Sequence, residues 1–172
     1  MSHNRSSFLS FDSSFLLVRE AGGAYRPAQI QEVLQAAQAL LLGRVRQLEV
    51  MSSPGVVRDF LRVRLGALEH EVFAVVHLDA QNRVIEYVEM FRGTVTQTSV
   101  YPREIVKEAL ARNSAALLLV HNHPSGVAQP SLADEALTHT LKAALALVDV
   151  RVLDHLIVAG PEILSFAERG LL

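Results

Sequence analysis

Four segments of the chain repeat their apolar residues at intervals of three and four, which is the period of a helix buried along one face. The first predicted helix covers residues 27–42 and should end before Gly43. The second covers residues 56–68, where Ser53 could cap the helix and Pro54 would take its first position. The other two predicted helices cover residues 102–113 and 131–148.

Short runs with strand character lie between these helices. Residues 71–79 form an apolar run closed by turn residues, and the alternating run at 83–90 follows so closely that a β-hairpin is expected. A further strand is expected at 93–98. Residues 115–120 are continuously apolar, which is typical of a central strand covered on both faces. Two closing strands are predicted at 151–159 and 163–166.

The order of these elements predicts an α/β sandwich in which helices flank a mixed β-sheet. Residues 1–50 are interpreted as an N-terminal arm and helix that are partly disordered. The arm, residues 1–26, is rich in Ser and Gly and has no sustained period, although it could contain a short strand. Residues 51–172 are predicted to form one metal-binding domain.

Composition narrows the chemistry that this fold can carry. The chain has 172 residues, 50% hydrophobic and 20% charged, as in an ordinary globular domain. A net charge of −2 gives no general attraction to phosphate backbones, so direct DNA binding is not expected. Because there are no cysteines, a metal would have to bind to His, Asp or Glu. No leader or membrane-spanning pattern stands out, so we expect a cytoplasmic protein that does not associate with membranes.

A pair of histidines follows the central apolar run, in the sequence His121-Asn122-His123-Pro124. In an extended chain residues i and i+2 project to the same face, so both imidazoles could bind one ion. Pro124 forbids continuation of the strand ladder, which should leave the pair exposed at the strand's end. A pair of this kind is also found as ordinary polar detail, so the pair alone does not establish a metal site.

Asp134 lies eleven positions after His123, at the start of the last predicted helix. Two histidines and a carboxylate leave one tetrahedral position open for water, which is typical of catalytic rather than structural zinc. The alternative is that Ser131 caps the helix and that the Asp134 carboxylate interacts favourably with the positive end of the helix dipole, as in a capping box. Both interpretations stay open on spacing alone. Two other histidines lie on predicted strands. His77 is interpreted as a residue of the sheet. His155 could support one of the metal-binding residues or simply alternate outward on its strand, and the structural interpretation is favoured.

The segment HNHPSGVAQPSLAD resembles the JAMM metalloprotease signature, His-x-His-Pro, six residues, then Ser-x-x-Asp. The flanking segments, MFRGTVTQTSVYPREIVKEAL before it and LALVDVRVLDHLIVAG and SFAERGLL after it, resemble the bacterial RadC family. The resemblance extends over residues 54–172. The helical hairpin at the N-terminus of many RadC-like proteins has no evident counterpart, so the chain is similar to a short paralogue.

This resemblance implies the MPN (JAB) fold, a cytidine deaminase-like sandwich, with Zn²⁺ bound by His121, His123 and Asp134. It also implies a glutamate that activates water at the start of an early strand. Glu71 fits that position, with Glu69 and Glu89 as alternatives. By the same analogy the Ser131 hydroxyl would stabilise the oxyanion of an attacked carbonyl.

The function implied by the resemblance is hydrolysis of an amide bond by metal-activated water, in a metallopeptidase or isopeptidase acting on a peptide or protein conjugate. A DNA repair-associated factor and a non-catalytic MPN binding module are the alternatives. The sequence does not indicate an oligomeric state.

Overall fold

The computed structural model describes residues 16–45, 54–93 and 99–172. A small antiparallel hairpin comes first, formed by β1 (Leu17–Arg19) and β2 (Tyr25–Pro27). It is followed by two helices that pack together, α1 (Ile30–Val45) and α2 (Pro54–Leu65). Gln38 on α1 links to both Val63 and Arg64 on α2 by hydrogen bonds.

The rest of the chain forms a five-stranded sheet and three further helices. In chain order these are β3 (Val72–Leu78), β4 (Val84–Arg92), α3 (Pro102–Ala111), β5 (Ala116–Asn122), α4 (Leu132–Ala146), β6 (Arg151–Ala159), β7 (Glu162–Ser165) and α5 (Phe166–Arg169). The strand order is β4-β3-β5-β6-β7, and only β5 and β6 are parallel. The sheet is therefore mixed, as predicted.

Two apolar layers cover the sheet. On one face α2 contributes Phe60 and Leu61, which pack against alternate residues of β3 such as Ala74 and Val76. On the other face α3 and α4 pack against the intervening residues, including Phe73 and Val75. Because β5 is covered on both faces, all seven of its residues are buried. This explains its unbroken apolar run and confirms the predicted α/β sandwich.

Most predicted elements are present, with shifted ends. The predicted first helix is wrong at both ends: residues 27–29 precede it and Gly43 lies inside it, since a glycine within a helix costs only about 1 kcal/mol relative to alanine. The central strand extends past residue 120 to include His121 and Asn122. The expected Ser53 cap and the strand expected at 94–98 lie outside the described residues.

The predicted boundary between residues 50 and 51 remains a prediction. Within the described ranges, no helix is both long enough and apolar enough to cross a membrane.

Candidate metal centre

His121 is the next-to-last residue of the central strand, β5, and lies on the face covered by α3 and α4. Its neighbours across the sheet are Phe73 on β3 and Ile157 on β6. Because it is flanked by a strand on each side and covered by helices, only 2% of its surface is exposed. The predicted exposure of the histidine pair is therefore wrong for His121, since β5 continues two residues beyond the apolar run.

His123 follows the strand and is half-buried. Its backbone N–H donates to the Val158 carbonyl at 2.9 Å, which keeps it in line with the sheet. Its Nδ1 lies 2.8 Å from the carbonyl oxygen of Val127, in the loop that follows Pro124. Since that carbonyl can only accept, Nδ1 carries the hydrogen and Nε2 keeps its lone pair when the ring is neutral.

Asp134 both caps α4 and faces the histidines. Its Oδ2 accepts hydrogen bonds from the backbone N–H and the hydroxyl of Ser131, each at 2.7 Å, and its own N–H donates to the Ser131 Oγ at 3.2 Å. The capping box is complete. The Oδ1 atom lies 3.3 Å from His121 Nε2, and Oδ2 lies 3.7 Å from His123 Nε2. The two interpretations of Asp134 are thus compatible, because the cap orients the carboxylate toward the histidines.

The three side chains converge on one point. The ligating atoms of His121, His123 and Asp134 all lie within 4.8 Å of one another, and the two Nε2 atoms are 2.9 Å apart. Two nitrogen lone pairs and a carboxylate oxygen are donors that zinc prefers. The residues present therefore fit a zinc ion.

The electrostatics of the cluster favour a bound cation. Burial lowers the pKa of His121 to about 4, so this ring is neutral at neutral pH. The pKa of His123 is raised, first by its hydrogen bond to Asp134. Burial alone would raise the pKa of Asp134, but its interactions with His123, His121 and Ser131 outweigh burial and lower it. The carboxylate is therefore ionised, and it supplies the negative charge that a cation needs.

Glu71 adjoins the cluster from the neighbouring strand. Phe73 pairs with His121, so continuing the antiparallel register by two residues places Glu71 opposite His123. Its carboxylate is close enough to add to the raised pKa of His123, after the contributions of Asp134 and Val127. Its backbone carbonyl accepts a hydrogen bond from Gly93 at 2.8 Å.

The two alternative glutamates lie elsewhere. Glu69 is exposed in a bend before the strand. Glu89 pairs across the sheet with Ala74, which faces α2, and its carboxylate accepts a hydrogen bond from Arg64 of that helix at 2.9 Å. Of the three candidates, Glu71 is therefore the one positioned beside the histidines.

Ser131 lies at the N-terminus of α4, beside the cluster. Its hydroxyl donates to Asp134 Oδ2 in this structure, so its proton is directed at the carboxylate. Ser131 thus holds the Asp134 carboxylate directly, in addition to capping the helix.

Two further buried polar residues support the site, and sequence reasoning missed the first of them. Asn122 lies between the two histidines and bonds to the backbone of β3. The second is His155, for which the less favoured of the two interpretations is the one found: its Nε2 lies 2.8 Å from His121 Nδ1 and the residue is fully buried. The reason is a bulge, since the register between β5 and β6 shifts after Val152. The shift places His155 on the face opposite to the one that strict alternation predicts.

Fold and cluster together define an α/β domain of the JAB type with a His-His-Asp group at the end of its central strand. Residues 51–171 match the RadC-like JAB domain family, and the chain belongs to that family. It is 56% identical to a UPF0758 protein of Leptothrix cholodnii over 164 residues, which is 95% of this chain and 74% of that protein. It is 54% identical to one of Methylibium petroleiphilum, over 97% of this chain and 75% of that protein. A third, from Aromatoleum aromaticum, is 61% identical over 87% of this chain and 67% of that protein.

Proposed function

We propose that this RadC-like JAB domain is a zinc-dependent hydrolase that cleaves an amide bond in a peptide or protein conjugate. The observation that carries the proposal is the convergence of His121, His123 and Asp134 beside Glu71. A non-catalytic binding module would have no need for such a cluster, since buried polar groups without a role are costly to a fold.

The donor set suits a catalytic zinc ion better than a structural one. Two histidines and one carboxylate hold the metal while leaving a position for water or substrate, which is the arrangement of catalytic zinc. When bound there, zinc would supply Lewis-acid activation of water and of the substrate carbonyl. The capped Asp134 and the bonded Nδ1 of His123 keep their ligating atoms in place before the metal arrives.

In this proposal Glu71 is the general base. From its place across from His123 it would take a proton from the attacking water and deliver it to the leaving amine. Ser131 would turn its hydroxyl from Asp134 toward the developing oxyanion, which lies on the same side of the cluster in this mechanism.

Metal content and hydrolysis test the proposal separately. Purified wild type should contain about one zinc per chain, and His123→Ala should lose most of it. The zinc-loaded wild type would then be incubated with a proteome-derived mixture of peptides and lysine-linked conjugates, and newly freed N-termini and lysine side chains would be identified by mass spectrometry. Glu71→Gln is the matched variant, because it should keep the metal and lose hydrolysis by about 10²- to 10⁴-fold.

Two results would contradict the proposal. Negligible zinc in both the wild type and His123→Ala would remove the metal centre. Full zinc occupancy with the same set of N-termini and free lysine side chains in the wild type and Glu71→Gln would instead indicate a binding module.

We also infer that DNA is not a direct partner. The net charge is −2, and the arginines of α2 pair with acidic residues: Arg58 with Glu168, Arg62 with Asp59 and Arg64 with Glu89. Paired guanidinium groups are poorly placed to replace the counterions of a phosphate backbone. Salt-dependent retention of the protein on immobilised duplex DNA at physiological ionic strength would overturn this inference.

A further inference from the structure

A chain of three buried hydrogen bonds connects two members of the metal cluster. It begins at the backbone carbonyl of Asp134, which accepts from the Thr138 hydroxyl at 2.6 Å. Thr138 Oγ1 lies 2.6 Å from Nδ1 of His155, and Nε2 of His155 lies 2.8 Å from Nδ1 of His121. Both Thr138 and His155 have no exposed surface, so water does not compete for these bonds.

Counting protons gives this chain a direction. A threonine hydroxyl has one hydrogen, and here it is donated to the Asp134 carbonyl. Toward His155 the same oxygen must therefore accept, which places a hydrogen on His155 Nδ1 and leaves a lone pair on its Nε2. That lone pair can only accept from His121, so His121 carries its hydrogen on Nδ1. The Nε2 of His121 then keeps its lone pair for the cluster.

We propose that Thr138 and His155 are positioning residues that set the tautomer and orientation of His121 for metal binding. This inference rests on the proposed zinc site. Neither residue touches the ligand position itself; both act through His121. Because the chain starts on the backbone of Asp134, it also fixes that residue and His121 relative to each other.

Packing holds the central ring of this chain in place. The ring of His155 stacks on Phe166 with centroids 4.7 Å apart, and it meets the edge of Phe73 at 5.7 Å. Phe73 also stacks with His121 at 6.3 Å. The two imidazoles therefore have little freedom to rotate away from the hydrogen bond that joins them.

Removing the Thr138 hydroxyl should reverse the donor and acceptor roles in the hydrogen bond between His155 and His121. In Thr138→Val the Nδ1 of His155 loses its acceptor, and a buried N–H without a partner is costly. The ring would move its hydrogen to Nε2 and donate it to His121 Nδ1. His121 would then carry its hydrogen on Nε2, where it blocks the lone pair that the metal needs.

The test compares zinc affinity among matched variants, measured by competition with a chromogenic chelator. Thr138→Val should bind zinc about 10- to 100-fold more weakly than wild type, which is the usual effect of losing a residue that orients a metal ligand. Thr138→Ser keeps the hydroxyl and should stay within about threefold of wild type. Thr140→Val is the control, because Thr140 makes the same kind of bond to Ala136 at 2.9 Å on the exposed side of α4.

A second measurement is independent of the metal. The histidine tautomers of the zinc-free protein can be read from long-range ¹H–¹⁵N correlation spectra at mildly alkaline pH. Wild type should show hydrogen on Nδ1 of His121, and Thr138→Val should show it on Nε2.

His155→Phe, which keeps an aromatic ring against Phe166, should also weaken zinc binding about tenfold or more.

The outcomes separate this inference from the proposed function. If wild type binds no zinc, the proposed function fails, and the tautomers of the zinc-free protein still decide the role of the chain. A hydrogen on Nε2 of His121 in wild type would overturn the inference. So would unchanged zinc affinity in both Thr138→Val and His155→Phe.

Discussion

The side chain of Asn122 bonds to the backbone on both sides of Glu71. Its Oδ1 accepts from the Val72 N–H at 2.8 Å, and its Nδ2 donates to the His70 carbonyl at 3.0 Å. The amide thus continues the ladder between β3 and β5 past its last backbone pair. Asn122 therefore fixes the segment that presents Glu71 while its neighbours on β5 present the histidines.

Replacing Asn122 should affect the position of Glu71 more than the zinc content. Asn122→Ala leaves a buried N–H of Val72 without its acceptor, which should lower the free energy of unfolding by about 1–3 kcal/mol. On the proposed function, zinc content should stay at the wild-type level, whereas amide hydrolysis should fall by about tenfold or more because Glu71, the proposed base, is misplaced. Urea unfolding, metal analysis and peptide cleavage measure the three quantities. Loss of zinc with unchanged stability would contradict this role.

The Ser131 hydroxyl offers a test of the link between the helix cap and the cluster. Ser131→Ala removes one donor to Asp134 and the acceptor of its N–H. The cap should contribute about 1 kcal/mol, equivalent to a fall of roughly 2–4 °C in melting temperature. Ser125→Ala is the control in the same loop, because Ser125 only accepts a 3.4 Å bond from Val127 and caps no helix. Equal melting temperatures for the two variants would show that the cap contributes nothing.

The sequence predicts the members of the cluster better than their supports. Strand alternation explains why His121 and His123 share a face, but spacing alone leaves Asp134 open between helix cap and ligand, and the resemblance to the JAMM signature is what unites the three. The partners of Asn122, at positions 70 and 72, are about fifty residues away in sequence and meet it only through the sheet. No local pattern reports such a contact.

Two local predictions, the orientation of His155 and the end of the first helix, differ from the structure. The favoured outward orientation of His155 is wrong, because strict alternation does not account for a bulge. The first helix is predicted to end before Gly43, but it continues through this residue to Val45, because a single glycine only weakens a helix.

His77 should make the stability of the metal-free protein depend on pH. It is fully buried at the far end of β3, with Nδ1 2.9 Å from Ser114 Oγ, and within the described residues its Nε2 has no hydrogen-bond partner. Burial, helped by the charge of Arg112, lowers its pKa to about 4, although Glu108 and Glu86 oppose this shift. The unfolded chain therefore takes up the proton first, and stability is lost as the pH falls below about 6.5.

Between about pH 7 and pH 5 this group should cost roughly 2 kcal/mol of stability. His77→Leu removes the titrating ring, so its free energy of unfolding should decline by about that much less over the same interval. Urea unfolding of both proteins in the presence of a chelator measures the difference. The same decline in both proteins would assign the pH dependence to other groups.

Gly66, just after α2, is required by the close approach of two backbone segments. A Cβ at this position would lie 2.6 Å from the Arg62 carbonyl oxygen and 2.8 Å from that of Gly160, in the turn between β6 and β7. Since neither backbone atom can rotate away as a side chain would, Gly66→Ala should destabilise the protein by about 1–3 kcal/mol, as overpacking does. A Cβ at Gly55, in the first turn of α2, meets nothing within 4 Å, so Gly55→Ala should be neutral or stabilising by about 0.4–1 kcal/mol. Thermal unfolding of the two variants checks this contrast, and equal melting temperatures would mean that α2 can move away from the turn at little cost.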